Sequence, residues 1–416
     1  MKTMWRAEPN GLFAYLVQEG KRIFLGSSSL QELTAWLETS RPSPLIDKLY
    51  EDGFIQNPTS KLEISELKSI LNEVNQVKSP LRSRTAPELI NLELTTRCPL
   101  RCPQCYCDLY KGKDLNPDIA EKVIYEAARL KVPYLNLSGG ETLVYPHLDR
   151  LLKLINELGL SSAIAISGWG FDEKRLKELK DAGVKEIYVS LNGSVEEVNS
   201  LSRDGYSQAI AALELLQKDG EIITFINWVA RNDNIADFPN LVKLAKTFNV
   251  DGIAILESKP DANMQAQAPL NNNQLLDLAE HIKSHQRKEK SPLIIVESCF
   301  SPLRAILGKT FFMNKNIGIS KGCAAGRAGV ALDVDGNWIP CRHLLKPESY
   351  PSLHEYWWKS TVLNQLRQHE ENKDSKCLTC QFEQNCLPCR VLGDNYSCAF
   401  NHNGDGSALI EQGDVN

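Results

Sequence analysis

Apolar and polar positions follow two different rhythms along this chain. In the first part, residues 12–17 and 22–25 are apolar-rich runs separated by Gly20, the pattern of a hairpin. Ser29 with Glu32 three residues later has capping-box spacing and predicts a short helix through Leu37. Residues 42–50 predict a second helix with Gly53 near its end, and Phe54 and Ile55 continue as a short apolar piece. Helices beside a small sheet make a winged-helix-like module. Residues 57–60 break the pattern, residues 61–77 have helical period, and residues 78–87 read as a linker.

From residue 88 the rhythm becomes strand, then helix, repeated. Ile90, Leu92 and Leu94 alternate with Asn91 and Glu93 on a strand ending at Thr96. Asn116-Pro117 supplies the cap and first-turn proline of a helix through Leu130. Residues 134–137, 163–166, 186–191, 222–229 and 252–256 are the following strand candidates, with helical patterns between them. Six such units predict an α/β fold, its parallel sheet open or curled into a partial (β/α)6 TIM-like barrel. Functional groups then belong at the C-terminal ends of the strands. From about residue 300 the pattern dissolves into cysteine-rich loops. The expected organisation is a module at 1–58, a linker with a helix at 59–87, the partial barrel at 88–300, a cysteine-rich domain at 301–402 and a tail at 403–416.

Composition narrows the function classes. The 416 residues exceed one ordinary core. A net charge of -5 offers no basic surplus for nucleic acid or an anionic membrane surface. The N-terminus lacks the apolar stretch of a signal peptide, and no apolar run has membrane-spanning length. Twelve cysteines without a secretion signal favour metal thiolates over disulfides, and a cytoplasmic setting. Cys98, Cys102, Cys105 and Cys107 form one group, seven more lie between Cys323 and Cys398, and Cys299 stands alone.

Cys98-x3-Cys102-x2-Cys105 directly follows the first barrel strand. Three thiolates on one loop can hold three irons of a [4Fe–4S] cube and leave the fourth for an outside ligand. An open position marks a catalytic metal site. From the motif alone, a structural zinc loop or plain thiols remain alternatives. The next strand ends in Ser138-Gly139-Gly140-Glu141. Glycines admit close backbone approach, and Glu141 can pair with an amine; a tight turn is the plainer reading of this stretch alone.

Together, the cysteine loop and the glycine turn resemble the radical S-adenosylmethionine (SAM) superfamily. The resemblance implies that Gly139, Gly140 and Glu141 meet the SAM ammonium. It places a SAM-contacting hydroxyl at Ser190, ending the fourth strand, and a carboxylate-pairing arginine at Arg203. Asn227, at the end of the fifth strand, and Leu256, on the sixth, join the cofactor contacts, and Tyr106 could pack on the adenine. Two positions depart from the family pattern: Asn192 stands where an acid is usual, and Gln104 where an aromatic is. Cys107 reads as a spare thiol.

The later cysteines run Cys323-x12-Gly336-x4-Cys341, Cys377-x2-Cys380-x5-Cys386-x2-Cys389, then Cys398. This resembles the SPASM domain found behind some radical SAM barrels, with two residues, Leu387 and Pro388, where the family has three. The resemblance implies a distal auxiliary cluster on Cys377, Cys380, Cys386 and Cys398, and a proximal one on Cys323, Cys341 and Cys389. A double zinc ribbon is the structural alternative. The proximal set lacks a fourth thiolate, so its fourth iron is open or Cys299 closes it. Asp335-Gly336-Asn337 predicts a hairpin turn.

The first 58 residues resemble the peptide-recognition domain of enzymes that modify ribosomally made peptides, in which a leader adds as a strand to a sheet edge; a structural cap is the alternative. Together these resemblances imply a radical SAM peptide maturase with three [4Fe–4S] clusters. SAM would be reductively cleaved to a 5′-deoxyadenosyl radical. That radical abstracts hydrogen from a leader-bearing precursor peptide to install a crosslink, an excision or a related change. An electron donor such as flavodoxin or ferredoxin is implied. The alternatives are a sulfatase-maturing radical SAM enzyme and a non-catalytic iron–sulfur or zinc protein. No residue stands out as a catalytic acid or base.

Overall fold

The computed structural model describes residues 3–9, 11–77, 83–263, 270–308 and 322–368, with the single residues 380, 382, 386, 389 and 391. The chain opens with an antiparallel sheet, β1 (Thr3–Glu8), β2 (Gly11–Leu16) and β3 (Lys21–Leu25), in that order. Sequence pattern predicts the β2–β3 hairpin but not β1, because Arg6 and Glu8 interrupt its apolar run. Both are buried, and they pair with each other at 2.7 Å. Helices α1 (Ser27–Thr39), α2 (Pro44–Glu51) and α3 (Lys61–Gln76) follow. The expected capping box at Ser29 does not form: α1 starts at Ser27 behind Gly26. The Glu32 carboxylate instead accepts from the Ser43 hydroxyl at 2.6 Å and the Leu45 N–H at 3.1 Å, joining α1 to α2. The helix expected in a linker completes the module's core, since Leu67, Ile70 and Val74 of α3 pack with Leu12, Leu33 and Leu49. The packed unit therefore runs to Gln76 rather than to residue 58.

The main sheet has nine strands among the described residues, ordered β10-β9-β8-β7-β6-β5-β4-β11-β12. Strands β4 (Leu89–Thr95), β5 (Tyr134–Gly139), β6 (Ser161–Ile166), β7 (Glu186–Ser190), β8 (Ile223–Ala230) and β9 (Gly252–Glu257) are the six the sequence predicts. They pair in parallel, nearest neighbours in sequence side by side. Helices α4 (Pro117–Arg129), α5 (Leu148–Glu157), α6 (Glu173–Asp181), α7 (Glu196–Asn199), α8 (Tyr206–Asp219), α9 (Phe238–Thr247) and α10 (Asn272–Lys288) fill the crossovers. The Asn116 side chain caps α4 as expected. Ile90, Leu92 and Leu94 of β4 join Val123 and Ile124 of α4 in one apolar layer. Asn91 and Glu93 are left on the opposite, inner face. No closed barrel forms among the described residues, so the sheet is a partial barrel.

Two further parallel strands extend it. β10 (Leu293–Val296) pairs with β9, and β11 (Gly329–Leu332) pairs with β4. β12 (Trp338–Ile339) then turns back on β11 through Gly336, whose φ of 81° suits the predicted hairpin. Helix α11 (Ser301–Leu307) lies between β10 and this hairpin in sequence.

The N-terminal module caps the N-terminal ends of the barrel strands. Arg6 donates to the Pro87 and Lys131 carbonyls, both at 2.9 Å, just ahead of β4 and β5. Glu8 accepts from the Thr85 N–H at 2.7 Å. Tyr15 lies beside Ser161 and Glu186, the first residues of β6 and β7. A cleft of about 410 Å³ remains between β1 and these strand starts, lined in part by Trp5, Lys131, Asn156 and Lys185. It lies at the end of the sheet away from the first cysteine group. No helix of the described residues is long and apolar enough to cross a membrane.

Candidate functional site

The first cysteine loop leaves the C-terminal end of β4 and is fastened at both ends. The Arg97 guanidinium grips Asp114 through two hydrogen bonds of 2.9 and 2.6 Å, and the Thr95 hydroxyl donates to the same carboxylate at 2.6 Å. Arg101 donates through its N–H to Asp204 at 2.8 Å and through its guanidinium to the Cys98 carbonyl at 2.6 Å. Between these anchors Cys98, Cys102 and Cys105 are free and half-buried. Burial pushes the Cys98 thiol up to about 11, against a hydrogen bond from the Leu100 N–H; Glu141, Cys102 and Cys105 nearby push the same way as burial. Cys102 and Cys105 therefore lie close to the Cys98 sulfur. Cys107 is buried, and its thiol donates to Cys105, holding that thiol down.

The glycine turn exists because β5 ends directly against this loop. A Cβ on Gly139, whose φ is 143°, would lie 2.2 Å from the Thr95 carbonyl oxygen. One on Gly140 would lie 2.3 Å from the Arg97 carbonyl oxygen and 3.1 Å from the Cys98 Cβ. The Gly140 and Glu141 N–H groups donate to those same carbonyls at 2.7 and 2.9 Å. The Glu141 carboxylate is buried. It accepts from the Leu143 N–H at 3.0 Å, from the Ser167 N–H at 2.8 Å and from the Ser167 hydroxyl. Burial still raises its pKa, with Arg203 nearby opposing.

The softer expectations fall around the same end of the sheet. Ser190 ends β7, half-buried. Asn227 is half-buried inside β8, three residues short of its end at Ala230. Leu256 is half-buried on β9. Arg203 lies near Cys105 and Glu141, and its Nε is buried without a hydrogen-bond partner. Asn192, in the position where an acid was expected, is a buried hub. Its side chain donates to Ser202 at 2.8 Å and accepts from the Val229 N–H at 3.1 Å.

Sequence reasoning missed a polar column inside the sheet. Asn136 donates to Asn91 at 2.8 Å. Above them, Arg342 reaches in from the segment after β12, donating to the Ser138 hydroxyl at 3.0 Å and lying over the Tyr106 ring at 5.4 Å. His343 packs against the same ring, 4.8 Å between centroids. Tyr106 is therefore engaged by Arg342 and His343. Burial pushes the Glu93 carboxyl up to about 7, with Arg342 opposing. The alternation on β4 was the signal for Glu93. Arg342 gave none, because its partners lie more than 200 residues away.

Three cysteines of the second group come together with Cys299. Cys323 and Cys341 each lie beside Cys389, and Cys323 beside Cys341. Glu257, Cys299 and Cys389 form a buried set whose ligand atoms all lie within 4.8 Å of one another. Cys380 and Cys386 are half-buried. Cys377 and Cys398 lie outside the described residues.

The donor set of the first loop fits an iron–sulfur cube with one open iron. The orphaned Arg203 Nε beside it fits an anionic group of a ligand. Residues 92–245 match the family model of the radical SAM superfamily. The fold is similar to that of Streptococcus suis SuiB bound to S-adenosylmethionine (TM-score 0.70, 18% identity, 94% of this chain and 95% of that one). It is also similar to SuiB bound to its precursor peptide SuiA (TM-score 0.69, 17% identity, 94% of each chain). Native anSMEcpe with bound AdoMet matches less of it (TM-score 0.57, 16% identity, 75% of this chain and 92% of that one). Residues 92–245 of this chain are a radical SAM domain, set in a mixed α/β fold shared with SuiB over most of the chain.

Proposed function

We propose that the chain is a peptide-modifying radical SAM enzyme. The observation that carries this reading is the Cys98–Cys102–Cys105 loop packed against Gly139-Gly140-Glu141, with the unpartnered Arg203 Nε beside it. In this reading the three thiolates hold the cluster, Arg203 takes the SAM carboxylate, and Gly139, Gly140 and Glu141 border its ammonium. Ser190, Asn227 and Leu256 line the rest of the pocket. Bound there, the cluster and SAM supply one-electron cleavage to a 5′-deoxyadenosyl radical that abstracts a substrate hydrogen. The chain's own residues orient and enclose. Arg342, Tyr106 and His343 lie together at this end of the sheet, and Glu93, close to Arg342, is a carboxyl that could take a proton.

A peptide substrate is supported by the overall likeness to SuiB, solved with a precursor peptide, and by a free edge on the small sheet. Strand β3 pairs only with β2 among the described residues, and an extended leader could add there. The sulfatase-maturing reading is the weaker one, since anSMEcpe matches three-quarters of the chain and SuiB nearly all of it. Cys323, Cys341 and Cys389 would hold a proximal auxiliary cluster. Cys377, Cys380, Cys386 and Cys398 would hold a distal one. A reducing cytoplasm, with flavodoxin or ferredoxin as donor, suits such thiolate sites.

Anaerobic reconstitution tests the reading. The full chain should take up on the order of twelve irons if three cubes form. Replacing Cys98, Cys102 and Cys105 together by Ala should remove about a third of them and all SAM cleavage. Stoichiometric zinc without iron uptake would refute the proposal.

A further inference from the structure

We infer that the barrel itself completes the proximal auxiliary cluster: Cys299 supplies the fourth thiolate, and Lys259, held in place by Glu297, supplies a counter-charge. The inference rests on the reading above that an auxiliary cluster is present. It replaces an open iron with a closed shell.

Cys299 lies between β10 and α11, only 8% exposed. A buried free cysteine is commonly a small apolar filler. The surroundings of this one are not apolar. Its Sγ lies within 4.8 Å of the Cys389 sulfur and of a Glu257 carboxylate oxygen. Cys389 in turn neighbours Cys323 and Cys341, so four sulfurs converge from three separate stretches of chain. A [4Fe–4S] cube is held by four thiolates, and these four meet that count without help from Cys377 or Cys398.

Two cations lie beside the Cys299 sulfur. Lys259, its side chain 6% exposed, leaves the end of β9 beside Cys299 and Cys389. Its ammonium donates to Glu297 at 2.6 Å and to the Glu257 carbonyl at 3.3 Å. The Arg304 guanidinium, which donates to the Val296 carbonyl at 3.0 Å, also faces Cys299. Nearby cations favour the thiolate, the form that binds metal. Four thiolates around a cube leave a net negative group, and a fixed buried cation stabilises its reduced state most. Glu297 fixes the position of that cation. Its Oε2 accepts from the Glu257 N–H at 3.1 Å, and its own N–H donates to the Ile255 carbonyl at 2.9 Å, so the pair is part of the β9–β10 frame. Cysteine-rich segment and barrel are then joined through one cluster.

The test uses the full chain, reconstituted anaerobically with iron and sulfide. Iron content and electron paramagnetic resonance of the reduced clusters are compared among wild type, Cys299→Ala, Cys299→Ser and Cys323→Ala, with circular dichroism checking that each is folded. If Cys299 is a ligand, Cys299→Ala loses the iron of one cluster, or yields a three-iron signal, as Cys323→Ala does. The resonance of the Cys98 loop cluster stays unchanged. Cys299→Ser, which keeps the size of the side chain, separates lost ligation from lost packing. Full iron and an unchanged spectrum in both variants at 299 would overturn the inference while leaving the auxiliary cluster intact. A Cys299–Cys389 disulfide in the reconstituted protein would overturn it as well. A wild type that holds only the iron of one cluster would overturn the parent reading too. Lys259→Met should lower the potential of the proximal cluster and Lys259→Arg should leave it near wild type; equal potentials in all three would remove the counter-charge role.

Discussion

At the scale of the residue, the site is governed by groups that leave no room for alternatives. Gly140 has a hydrogen where any other residue would drive a carbon to 2.3 Å from the Arg97 carbonyl. That atom is backbone and cannot step aside without moving the loop that begins at Cys98. Gly140→Ala should therefore fold but lose iron from the first cluster, read as a drop in reconstituted iron and in SAM cleavage with circular dichroism unchanged. Glu93 carries a second prediction. Burial raises its carboxyl from 4.5 to about 7, so the folded protein holds a proton there that the unfolded chain releases. Its contribution is full below about 4.5 and is lost as pH rises through about 7. Thermal unfolding should show the wild type losing more stability between pH 5 and pH 8 than Glu93→Gln; parallel pH profiles would contradict this. Glu93 could be read from the alternation on β4, and the cysteines from their spacing. Lys259, Glu297 and Arg342 could not, because charged residues in loops look like surface until the fold buries them. Glu32 misled for a related reason: capping spacing is local, and the Ser43 hydroxyl of the next helix competed successfully for the carboxylate.

At the scale of the element, the long alternating and helical segments were legible and the short or interrupted ones were not. The six central strands and the Asn116-capped α4 follow from periodicity that burial on one face imposes. β10 has four residues and β11 four, too few to show a period, and each is fixed by a neighbouring parallel strand. β1 hides behind its buried ion pair. α3 was legible as a helix, but not as part of the module, since its apolar face names no partner. That face matters energetically. Leu67 is fully buried against the module's sheet and helices. Leu67→Ala should cost about 2–5 kcal/mol, the usual range for a large-to-small change in a core. The loss should appear in an early, module-specific unfolding transition, with iron uptake by the Cys98 loop unaffected. For the same reason a truncation after residue 58 should aggregate, because it bares Leu67, Ile70 and Val74, whereas one after residue 77 removes that face altogether.

At the scale of the whole molecule, the N-terminal module and the first cysteine loop sit at opposite ends of one sheet. The module is pinned to the strand starts through Arg6, Glu8 and Tyr15, and the cysteine loop leaves the end of β4. A seven-residue strand such as β4 separates them by about 20 Å, at roughly 3.3 Å per residue. If a leader adds to the free edge of β3, the residue to be modified must travel that height and then turn into the mouth beside Arg342. An extended peptide covers about 3.3 Å per residue, so the straight distance alone takes about six residues and the path around the barrel wall on the order of ten. Beyond that length, extra residues cost little, because the closure entropy of a flexible spacer grows only slowly with its length. Spacer length therefore separates binding from reaction. In a series of precursor peptides with shortened spacers, binding to the full-length enzyme should persist throughout, while modification should collapse once the spacer falls below about ten residues. Lengthening it by a similar amount should leave the rate within a few-fold. A peptide with a spacer of three or four residues that is modified at the full rate would show that the leader does not bind at the β3 edge, and that the module serves only to close the end of the barrel.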